Sequence, residues 1–434
     1  MLRISHYLRA VAGVCPPPRA AVPGSTRAPV VIWNLLRRCN LTCRHCYATS
    51  ADTHFRGELG TAEALRVIDD LHDAGVRVLV LSGGEPLMRP DLYELSAHAA
   101  GLGFFLALST NGTLINESNI NRILDVGFDY VGISIDGLPA THDEFRRMPG
   151  GFAASMHAAR LCRAHGIRVG LRTTLTRHNH AQLPALLGLM RDHDIQKYYL
   201  SHMNYSGRGR STRRVDTDHA MTREAMTLIF ERAWADVEQG RDSDFVSGNN
   251  DADAVLLLRW ARARLLQYAG QLEAMLRAWG GNASGAGVAN IDNVGEVHPD
   301  TYWWQHSVGN VQQRTFRDIW FDNPAPLLTQ LRRHPRTISG RCGQCQWLTI
   351  CNGNTRTRAW SMGDLWAEDP GCYLTDEEIG RPSSASRTAV PDDAARPAAC
   401  RASDTAPHPA PSPAVLPGRR PPNSLPRVEP RRTS

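Results

Sequence analysis

Six apolar stretches, rich in β-branched and aromatic residues, alternate with amphipathic helical patterns between residues 30 and 202. Near-continuous apolar strands that alternate with helices are typical of parallel βαβ units whose sheet is covered on both faces. The predicted strands cover residues 30–35, 76–81, 104–109, 130–135, 168–175 and 197–202. The predicted helices cover residues 61–74, 90–100, 116–126, 154–165 and 183–193. The pattern indicates an α/β fold, either a partial (β/α) barrel or an open doubly wound sheet, and both place the chemistry at the C-terminal ends of the strands.

The composition divides the chain further. We predict five segments: an N-terminal helix and linker at 1–28, a barrel at 29–215, a helical connection at 216–290, a cysteine-bearing module at 291–380 and a tail at 381–434. Further predicted elements are a mobile Gly/Arg loop at 207–214, helices at 222–238 and 252–279, and a hairpin region at 280–320. The tail holds twelve of the 27 prolines and few large apolar side chains, so it is predicted to be disordered and rich in Pro and Arg.

The composition also excludes several classes of protein. Of the 434 residues, 42% are hydrophobic and 21% charged, and no apolar run approaches the roughly 18 residues of a membrane span, so we expect no membrane partner. The net charge of +6 lies mostly in the tail, where nine Arg face four acidic residues, so nucleic acid is not an expected partner. Arg3, His6 and Arg9 interrupt the apolar core that a signal peptide needs, which predicts a cytoplasmic protein with reduced thiols.

Three cysteines follow the first predicted strand with the spacing C-x3-C-x2-C, at Cys39, Cys43 and Cys46. Three thiolates in one loop can hold three irons of a 4Fe–4S cluster and leave the fourth iron open to another ligand. Zinc is the alternative, but it prefers paired C-x2-C units and a fourth ligand, and His45 lies too close to two of the cysteines to serve. The spacing therefore favours a catalytic iron–sulfur cluster.

A second set of cysteines has the spacing C-x2-C-x5-C-x20-C and consists of Cys342, Cys345, Cys351 and Cys372. Four thiolates can close a tetrahedral zinc site or bind all four irons of a 4Fe–4S cluster. We favour the cluster because the first set already indicates iron–sulfur chemistry. Of the other cysteines, Cys15 and Cys400 are expected to be free thiols, and Cys162 is expected to be a small buried side chain.

The first cysteine loop resembles the signature of the radical SAM superfamily, and motifs at the next strands agree with it. The resemblance implies a partial (β/α)6 barrel with a C-terminal auxiliary iron–sulfur module, and S-adenosylmethionine (SAM) as a cofactor. The GGEP sequence after strand two implies that Gly83, Gly84 and Glu85 hold the amino group of SAM, with the glycines permitting close approach. By the same resemblance Ser134 contacts the ribose and Arg146 pairs with the SAM carboxylate.

Two polar residues near these motifs have more than one interpretation. Asn111 ends strand three and either contributes to the SAM pocket or is only a turn former. Arg172 on strand five either faces the site or pairs with a carboxylate of the barrel, and we leave it unassigned.

The second cysteine set resembles the shortened C-terminal module of SPASM/Twitch-type radical SAM proteins. Longer modules carry a Pro-Cys pair where this chain has Pro299 and Asp300, and the missing cysteine implies one auxiliary cluster instead of two. Asn352 stands where we would expect Gly, a difference that could alter the cluster loop. The resemblance thus implies two 4Fe–4S clusters, one that binds SAM and one auxiliary.

Longer segments are similar to the radical SAM enzymes of haem d1 biosynthesis, namely residues 30–43, 200–209, 248–253, 280–285 and 298–304. This likeness covers residues 1–380 and implies a substrate, 12,18-didecarboxysirohaem, from which a 5′-deoxyadenosyl radical initiates the loss of two propionate side chains. It also implies a low-potential electron donor such as flavodoxin or ferredoxin. We hypothesise that the auxiliary cluster accepts the electron left over.

Several side chains are candidates for contacts with a tetrapyrrole. A flat macrocycle calls for aromatic faces and for an axial iron ligand, and the candidates are His298, Tyr302, Trp303, Trp304 and His306. The favoured alternative is that the aromatics are core and the histidines surface residues. The arginines of the 207–214 loop either clamp propionates or lie in solvent, and they are Arg208, Arg210, Arg213 and Arg214.

Other functions fit part of the pattern. The nearest alternative is another SPASM-type radical enzyme, either a sirohaem-branch enzyme of haem synthesis or a peptide maturase. An electron carrier with two clusters and no catalysis is the alternative from a different class, and it would need no SAM pocket.

Overall fold

The structure is a computed structural model that describes residues 1–18 and 27–381. Part of the predicted linker and nearly all of the predicted disordered tail lie outside the described residues. Ten strands form one sheet: β1 (Val30–Asn34), β2 (Val78–Ser82), β3 (Phe105–Thr110), β4 (Tyr130–Ser134), β5 (Val169–Thr174), β6 (Lys197–Ser201), β7 (Asp244–Gly248), β8 (Val288–Ile291), β9 (Glu296–His298) and β10 (Gly309–Asn310).

The strands lie in the order β10-β9-β8-β1-β2-β3-β4-β5-β6-β7. All pairs from β8 through β1 to β7 are parallel, whereas β9 and β10 add an antiparallel edge. Within the described residues no pairing joins β7 to β10, so the sheet has two ends. The predicted α/β fold with six parallel strands is confirmed, and the hairpin region predicted at 280–320 contains β8 to β10.

The helices that cover and connect these strands are α1 (Ile4–Val11), α2 (Thr61–Asp73), α3 (Leu92–Gly101), α4 (Ile120–Val126), α5 (Pro139–Arg146), α6 (Gly151–Ala164), α7 (Leu183–Asp192), α8 (Arg208–Ser211), α9 (His219–Glu238), α10 (Ala252–Arg264), α11 (Leu266–Trp279), α12 (Pro326–Leu331), α13 (Gly340–Gly343), α14 (Leu348–Cys351) and α15 (Arg356–Ser361). A π-helical turn covers Asp318–Asp322, and 3₁₀ turns cover Pro86–Met88, His180–Gln182 and Arg213–Val215. No helix in the part of the chain that the structure describes is long and apolar enough to cross a membrane.

The structure differs from the predicted elements in three places. Strand β7 lies inside the predicted helical connection. It was not predicted because its five residues include Asp244, Ser247 and Gly248, and their apolar pattern is too weak to indicate a strand. The helix predicted at 252–279 is two helices, α10 and α11, which break at Leu265 (φ −137°). The loop predicted as mobile at 207–214 is instead helical, with α8 followed by a 3₁₀ turn.

Side chains alternate between two faces of the parallel strands. One face is fully buried against the helices and contributes apolar residues to the core, among them Trp33, Leu81, Leu108, Ile133, Leu171 and Leu200. The opposite face, which we call the inner face, becomes polar toward the C-terminal ends of the strands, where it carries Asn34, Ser82, Ser109, Ser134 and Arg172. The fold therefore collects the candidate site residues at one end of the inner face.

Candidate active site

The first three cysteines lie in the loop that follows β1. The Cys39 amide donates a hydrogen bond to the Ala51 carbonyl (3.1 Å), which closes this loop on itself. Cys39 and Cys43 are buried and Cys46 is half-buried. Burial raises the pKa of the Cys39 thiol to about 12 and that of Cys43 to about 11. These thiols are therefore protonated at neutral pH in the metal-free protein, and binding iron must release their protons.

Hydrogen-bond donors point at the sulfurs of this loop. The amides of Leu41 and Ser50 donate to Cys39 Sγ (3.4 Å) and Cys46 Sγ (3.5 Å). Two side chains that the sequence analysis assigned to the SAM pocket also approach: Arg146 Nη1 lies 3.9 Å from Cys43 Sγ, and Asn111 Nδ2 lies 4.0 Å from Cys39 Sγ. Donors of this kind stabilise thiolates and tune the potential of an iron–sulfur cluster. The loop fits a cluster ligated by three thiolates.

Gly83 and Gly84 press against the backbone that leads into the cysteine loop. The Gly84 amide donates to the Leu36 carbonyl (2.7 Å), and the Glu85 amide donates to the Arg38 carbonyl (2.9 Å). A Cβ atom on Gly83 would stand 2.5 Å from the Leu36 carbonyl oxygen, and one on Gly84 would stand 2.1 Å from that of Arg38. These glycines thus permit a close approach to the protein's own backbone, and their predicted contact with SAM stays a prediction.

Gly84→Ala is expected to destabilise the protein by about 2–3 kcal/mol, because the backbone of the loop cannot yield as a flexible side chain would. Gly188 in α7 is a matched control, since a Cβ there has no atom within 4 Å. Gly188→Ala should stabilise the protein by about 0.5–1 kcal/mol. The midpoints of urea unfolding of the two variants measure both effects. Equal midpoints would contradict the tight packing at Gly84.

Glu85 joins the ends of β2 and β3. Its carboxylate is fully buried and accepts hydrogen bonds from the Leu87 amide (3.2 Å), the Thr110 hydroxyl (2.7 Å) and the Asn111 amide (2.8 Å). Burial raises the pKa of Glu85, and these hydrogen bonds oppose part of the rise. Because a carboxylate has about four lone-pair directions, three protein donors leave one direction for a further donor.

Arg146 forms a buried ion pair that the sequence analysis did not foresee. Its Nε and Nη2 atoms lie 2.8 and 2.7 Å from Asp136 Oδ2. Burial alone would lower the pKa of Arg146, but Asp136 outweighs it and the pKa is raised. His45 lies 3.6 Å from the same carboxylate and stacks on Phe145. The ion pair fixes Arg146 beside Cys43. In the sequence, only the position of Asp136 just after β4 pointed to this ion pair.

Ser134 is half-buried on the inner face, where it lies in register with Arg172 of β5. Asn111 does more than form a turn: its Oδ1 accepts from the Thr113 amide (2.8 Å) and its Nδ2 donates to Asn40 Oδ1 (2.9 Å) in the cysteine loop. The structure thus brings Asn111 and Arg146 to the cysteine loop, whereas Ser134 lies at the end of β4.

The helical turn α8 covers the cysteine loop. Arg208 Nε and Nη1 donate to the carbonyl oxygens of Cys43 (2.7 Å) and Ser50 (2.8 Å), and its amide donates to that of Cys46 (2.9 Å). A Cβ on Gly207 would stand 2.3 Å from the Tyr47 carbonyl oxygen. Arg208 therefore holds the cysteine loop and is half-buried instead of lying in solvent, and its predicted role as a propionate clamp stays a prediction. Arg210, Arg213 and Arg214 are exposed.

Of the second set of cysteines, Cys342 lies in α13, Cys345 lies between α13 and α14, Cys351 ends α14, and Cys372 lies in a turn after α15. Burial raises the pKa of Cys351 well above its usual value, and the thiols of Cys372, Cys342 and Cys345 raise it further. In residues 1–18 and 27–381 no three His, Cys, Asp or Glu side chains are spaced to hold a single metal ion. A cube of four irons spreads its thiolates more widely than one zinc ion does.

Asn352 caps α14 in the left-handed conformation (φ 54°), which Gly or Asn adopts at a helix end. Its Oδ1 also accepts from the Arg336 amide (2.9 Å). Asn352 thus performs the backbone role expected of Gly, and its amide adds a hydrogen bond.

A buried polar network joins this module to the C-terminal ends of β6 and β7. Arg358 pairs with Asp369 (2.9 Å), and Arg358 Nη1 donates to the Met203 carbonyl (3.1 Å). Asn250 Nδ2 donates to the Gly371 carbonyl (2.8 Å), and Asn354 Nδ2 donates to Asn250 Oδ1 (2.6 Å). Segment 248–253, noted in the sequence only for its likeness to relatives, therefore connects the barrel to the second cysteine set.

The candidate tetrapyrrole contacts fall into two groups. Trp303 is 1% exposed, and its indole N–H donates to Asp300 Oδ2 (3.1 Å), so it is a core residue. His298 is also buried, whereas a surface position was the favoured alternative. Tyr302, Trp304 and His306 are half-buried.

Comparisons with known proteins agree with this geometry. Residues 33–190 match the model of the radical SAM superfamily. The Streptococcus suis SuiB protein bound to S-adenosylmethionine has a similar fold, with a TM-score of 0.63 and 17% identity over 80% of this chain and 78% of SuiB. Native anSMEcpe with bound AdoMet has a TM-score of 0.62 and 18% identity over 81% and 95% of the two chains.

The chain belongs to the radical SAM superfamily and is an enzyme. Its family implies SAM and a 4Fe–4S cluster as cofactors. Among particular relatives, it is 50% identical to the pre-heme d1 synthase of Dinoroseobacter shibae over 393 residues, which are 90% of this chain and 96% of that protein. It is 40% identical to the Fe-coproporphyrin III synthase of Methanosarcina barkeri over 82% of this chain and 90% of that one.

Proposed function

We propose that this enzyme acts in haem d1 biosynthesis and removes two propionate side chains from 12,18-didecarboxysirohaem. The observation that carries the proposal is the 50% identity to a pre-heme d1 synthase, which extends over nearly the full length of both chains. A tetrapyrrole is therefore the substrate class that we assign.

The residues around the first loop have separate roles in this proposal. Cys39, Cys43 and Cys46 would hold the SAM-binding cluster, and the bound cluster with SAM would supply one-electron radical chemistry. Glu85 offers its remaining lone-pair direction to the amino group of SAM. Arg146 keeps a positive charge beside the open side of the loop.

The other predicted SAM-pocket residues shape the surroundings. Gly83 and Gly84 set the position of Glu85 against the loop, Asn111 donates toward Cys39 Sγ, and Ser134 faces the ribose from the inner face. These groups bind and orient SAM. The opposite face of the sheet, which is fully buried against the helices, keeps water from reaching the inner face through the sheet.

We assign the second cysteine set to one auxiliary 4Fe–4S cluster, held by Cys342, Cys345, Cys351 and Cys372. Their thiols influence one another and lie in a buried module tied to the barrel. A low-potential flavodoxin or ferredoxin is the electron donor that fits this enzyme class. Iron analysis and cluster spectra of Cys345→Ala test the assignment, and a full auxiliary signal in that variant would remove it.

A second candidate function follows from the relatives. The chain is 31% identical over 361 residues to the AdoMet-dependent heme synthase of Oleidesulfovibrio alaskensis, and it is more similar to the Fe-coproporphyrin III synthase. A different decarboxylation or side-chain reaction on an iron tetrapyrrole is therefore the alternative.

The test is an anaerobic assay of the reconstituted, reduced enzyme with SAM and 12,18-didecarboxysirohaem, in which 5′-deoxyadenosine and tetrapyrrole mass are followed together. Deoxyadenosine that depends on the tetrapyrrole, with loss of propionate mass, is the expected result. Deoxyadenosine with an unchanged tetrapyrrole would keep the enzyme class and overturn the substrate. A fully clustered enzyme that cleaves no SAM would point to the electron carrier.

A further inference from the structure

Arg172 lies in the middle of the inner face, on β5. It is in register with Ser134 of β4 and Tyr199 of β6. Its aliphatic stem occupies the space above Gly132, where a Cβ atom would stand 2.8 Å from Arg172 Cδ. The guanidinium donates to the Ser109 hydroxyl and lies 5.1 Å from the centroid of the Tyr199 ring. Glycine at position 132 thus makes room for a cation near the C-terminal ends of the strands.

Arg172 has no counter-charge within the described residues. The buried Arg336 and Arg356 have none either, but each of them donates to backbone carbonyls, which Arg172 does not. Arg146 and Arg358 pair with Asp136 and Asp369. In the ranges that the structure describes, no carboxylate oxygen lies within 4.0 Å of the Arg172 guanidinium. Burying a cation partly without an anion costs folding free energy. Such a group therefore marks a place where an anionic ligand would be stabilised.

The groups around Arg172 are neutral. The charge of Arg172 affects the pKa of four tyrosines. Burial raises the pKa of each phenol, and the guanidinium opposes that rise. These residues are Tyr47, Tyr130, Tyr199 and Tyr302. With raised pKa values the phenols remain protonated at neutral pH. They supply hydroxyl groups and no compensating charge, and the Tyr47 hydroxyl already donates to Asn34 Oδ1 (3.2 Å).

The tyrosines connect Arg172 to the cysteine loop. Tyr47 directly follows Cys46, and its ring centroid lies 5.3 Å from that of Tyr302. The Tyr302 hydroxyl accepts a hydrogen bond from Asn249 Nδ2 (2.6 Å). A molecule held at Arg172 would therefore lie beside the first cysteine loop. Arg172 itself makes no hydrogen bond to a thiol of that loop, whereas Arg146 contacts Cys43.

We propose that Arg172 is the receptor for a carboxylate side chain of the substrate, surrounded by the hydroxyls of Ser109 and the tyrosines as neutral donors. A guanidinium binds a carboxylate through two parallel hydrogen bonds and supplies the geometry that a lysine cannot. The inference rests on the proposed function, because a tetrapyrrole with propionate and acetate groups would bring the carboxylate. SAM also carries a carboxylate, and the experiment separates the two sources.

The experiment measures dissociation constants for the holoenzyme with both clusters reconstituted. The ligands are 12,18-didecarboxysirohaem, its fully methyl-esterified form, and SAM. Arg172→Gln is expected to weaken binding of the free acid about 10- to 100-fold, as expected for loss of a charge-assisted hydrogen-bond pair. Its affinity for the ester and for SAM should stay unchanged. Arg168→Gln, which removes an exposed arginine just before β5, is the matched control and should change none of the three constants.

Arg172→Lys keeps the charge but loses the two parallel hydrogen bonds of the guanidinium. The ratio of the dissociation constant of the ester to that of the acid should therefore lie between the wild-type ratio and the Arg172→Gln ratio. This variant decides the question if Arg172→Gln fails to fold, as judged by iron content and thermal unfolding. A loss of SAM affinity with unchanged tetrapyrrole affinity would overturn the proposal, and so would equal losses for acid and ester. A wild-type enzyme that does not bind the tetrapyrrole would instead overturn the proposed function.

Discussion

The Cys43→Ser enzyme is expected to release no 5′-deoxyadenosine from SAM. Cys43 is buried in the loop after β1, and its sulfur is the one that Arg146 approaches at 3.9 Å. A serine hydroxyl is a poor ligand for iron and does not provide a third thiolate, so the SAM-binding cluster should not assemble. The iron content should fall from about eight to about four per chain if the auxiliary set remains intact. Iron analysis and a SAM cleavage assay measure both effects.

Cys15→Ser is the matched control for this experiment. Cys15 is half-buried near α1, where its thiol lies 3.7 Å from the His6 carbonyl oxygen, far in sequence from both cysteine sets. Its replacement should leave iron content and SAM cleavage unchanged. If Cys43→Ser retained full iron and full cleavage, the assignment of the first loop would be wrong.

The second large effect is expected at the buried ion pair of Arg358 and Asp369 within the cysteine module. Asp369→Asn should destabilise the protein by about 3–5 kcal/mol, because it leaves the Arg358 charge buried without its partner. The side chains of Arg358 and Asp369 are 1% and 0% exposed. Asp369 also accepts from the amides of Thr355 (3.0 Å) and Gly371 (2.8 Å), next to Cys372. The midpoint of urea unfolding and the iron content of the variant measure the loss.

Two variants distinguish a buried charge from a general weakness of the region. Glu144→Gln removes a surface partner of Arg44, whose pair is 34% and 68% exposed, and should cost less than about 1 kcal/mol. The double variant Arg358→Met, Asp369→Leu removes both charges and should recover much of the stability that Asp369→Asn loses. A double variant as unstable as the single one would show that the hydrogen bonds to the backbone, and not the unpaired charge, account for the effect.

Hydrogen bonds near this ion pair connect the cysteine module to the barrel. Arg358 reaches the Met203 carbonyl just beyond β6, and Asn250 just beyond β7 reaches the Gly371 carbonyl. Gly371 directly precedes Cys372, and Arg358 follows Cys351 by seven residues. The second set is thereby held at the same end of the strands as the first.

The sequence by itself determined the features that depend on neighbours along the chain. Apolar periodicity predicted β1 to β6, because burial on both faces leaves a local pattern that needs no knowledge of partners. The spacing of Cys39, Cys43 and Cys46 predicted one ligating loop, because all three lie within eight residues. The short, weakly apolar β7 left no such pattern, and it is a strand because β6 and, at Ser247, the distant Leu2 supply its hydrogen bonds.

Tertiary structure alone decided what each polar group faces. Arg146 and Arg172 look alike in sequence, but one meets Asp136 and the other meets only hydroxyls and aromatic rings within the described residues. Arg208 lies 165 residues from Cys43 and yet binds its carbonyl. Contacts between distant segments determine whether a charged side chain is paired, exposed or able to bind a ligand. The reason is that electrostatic and hydrogen-bond energies depend on distance in space and not on separation along the chain.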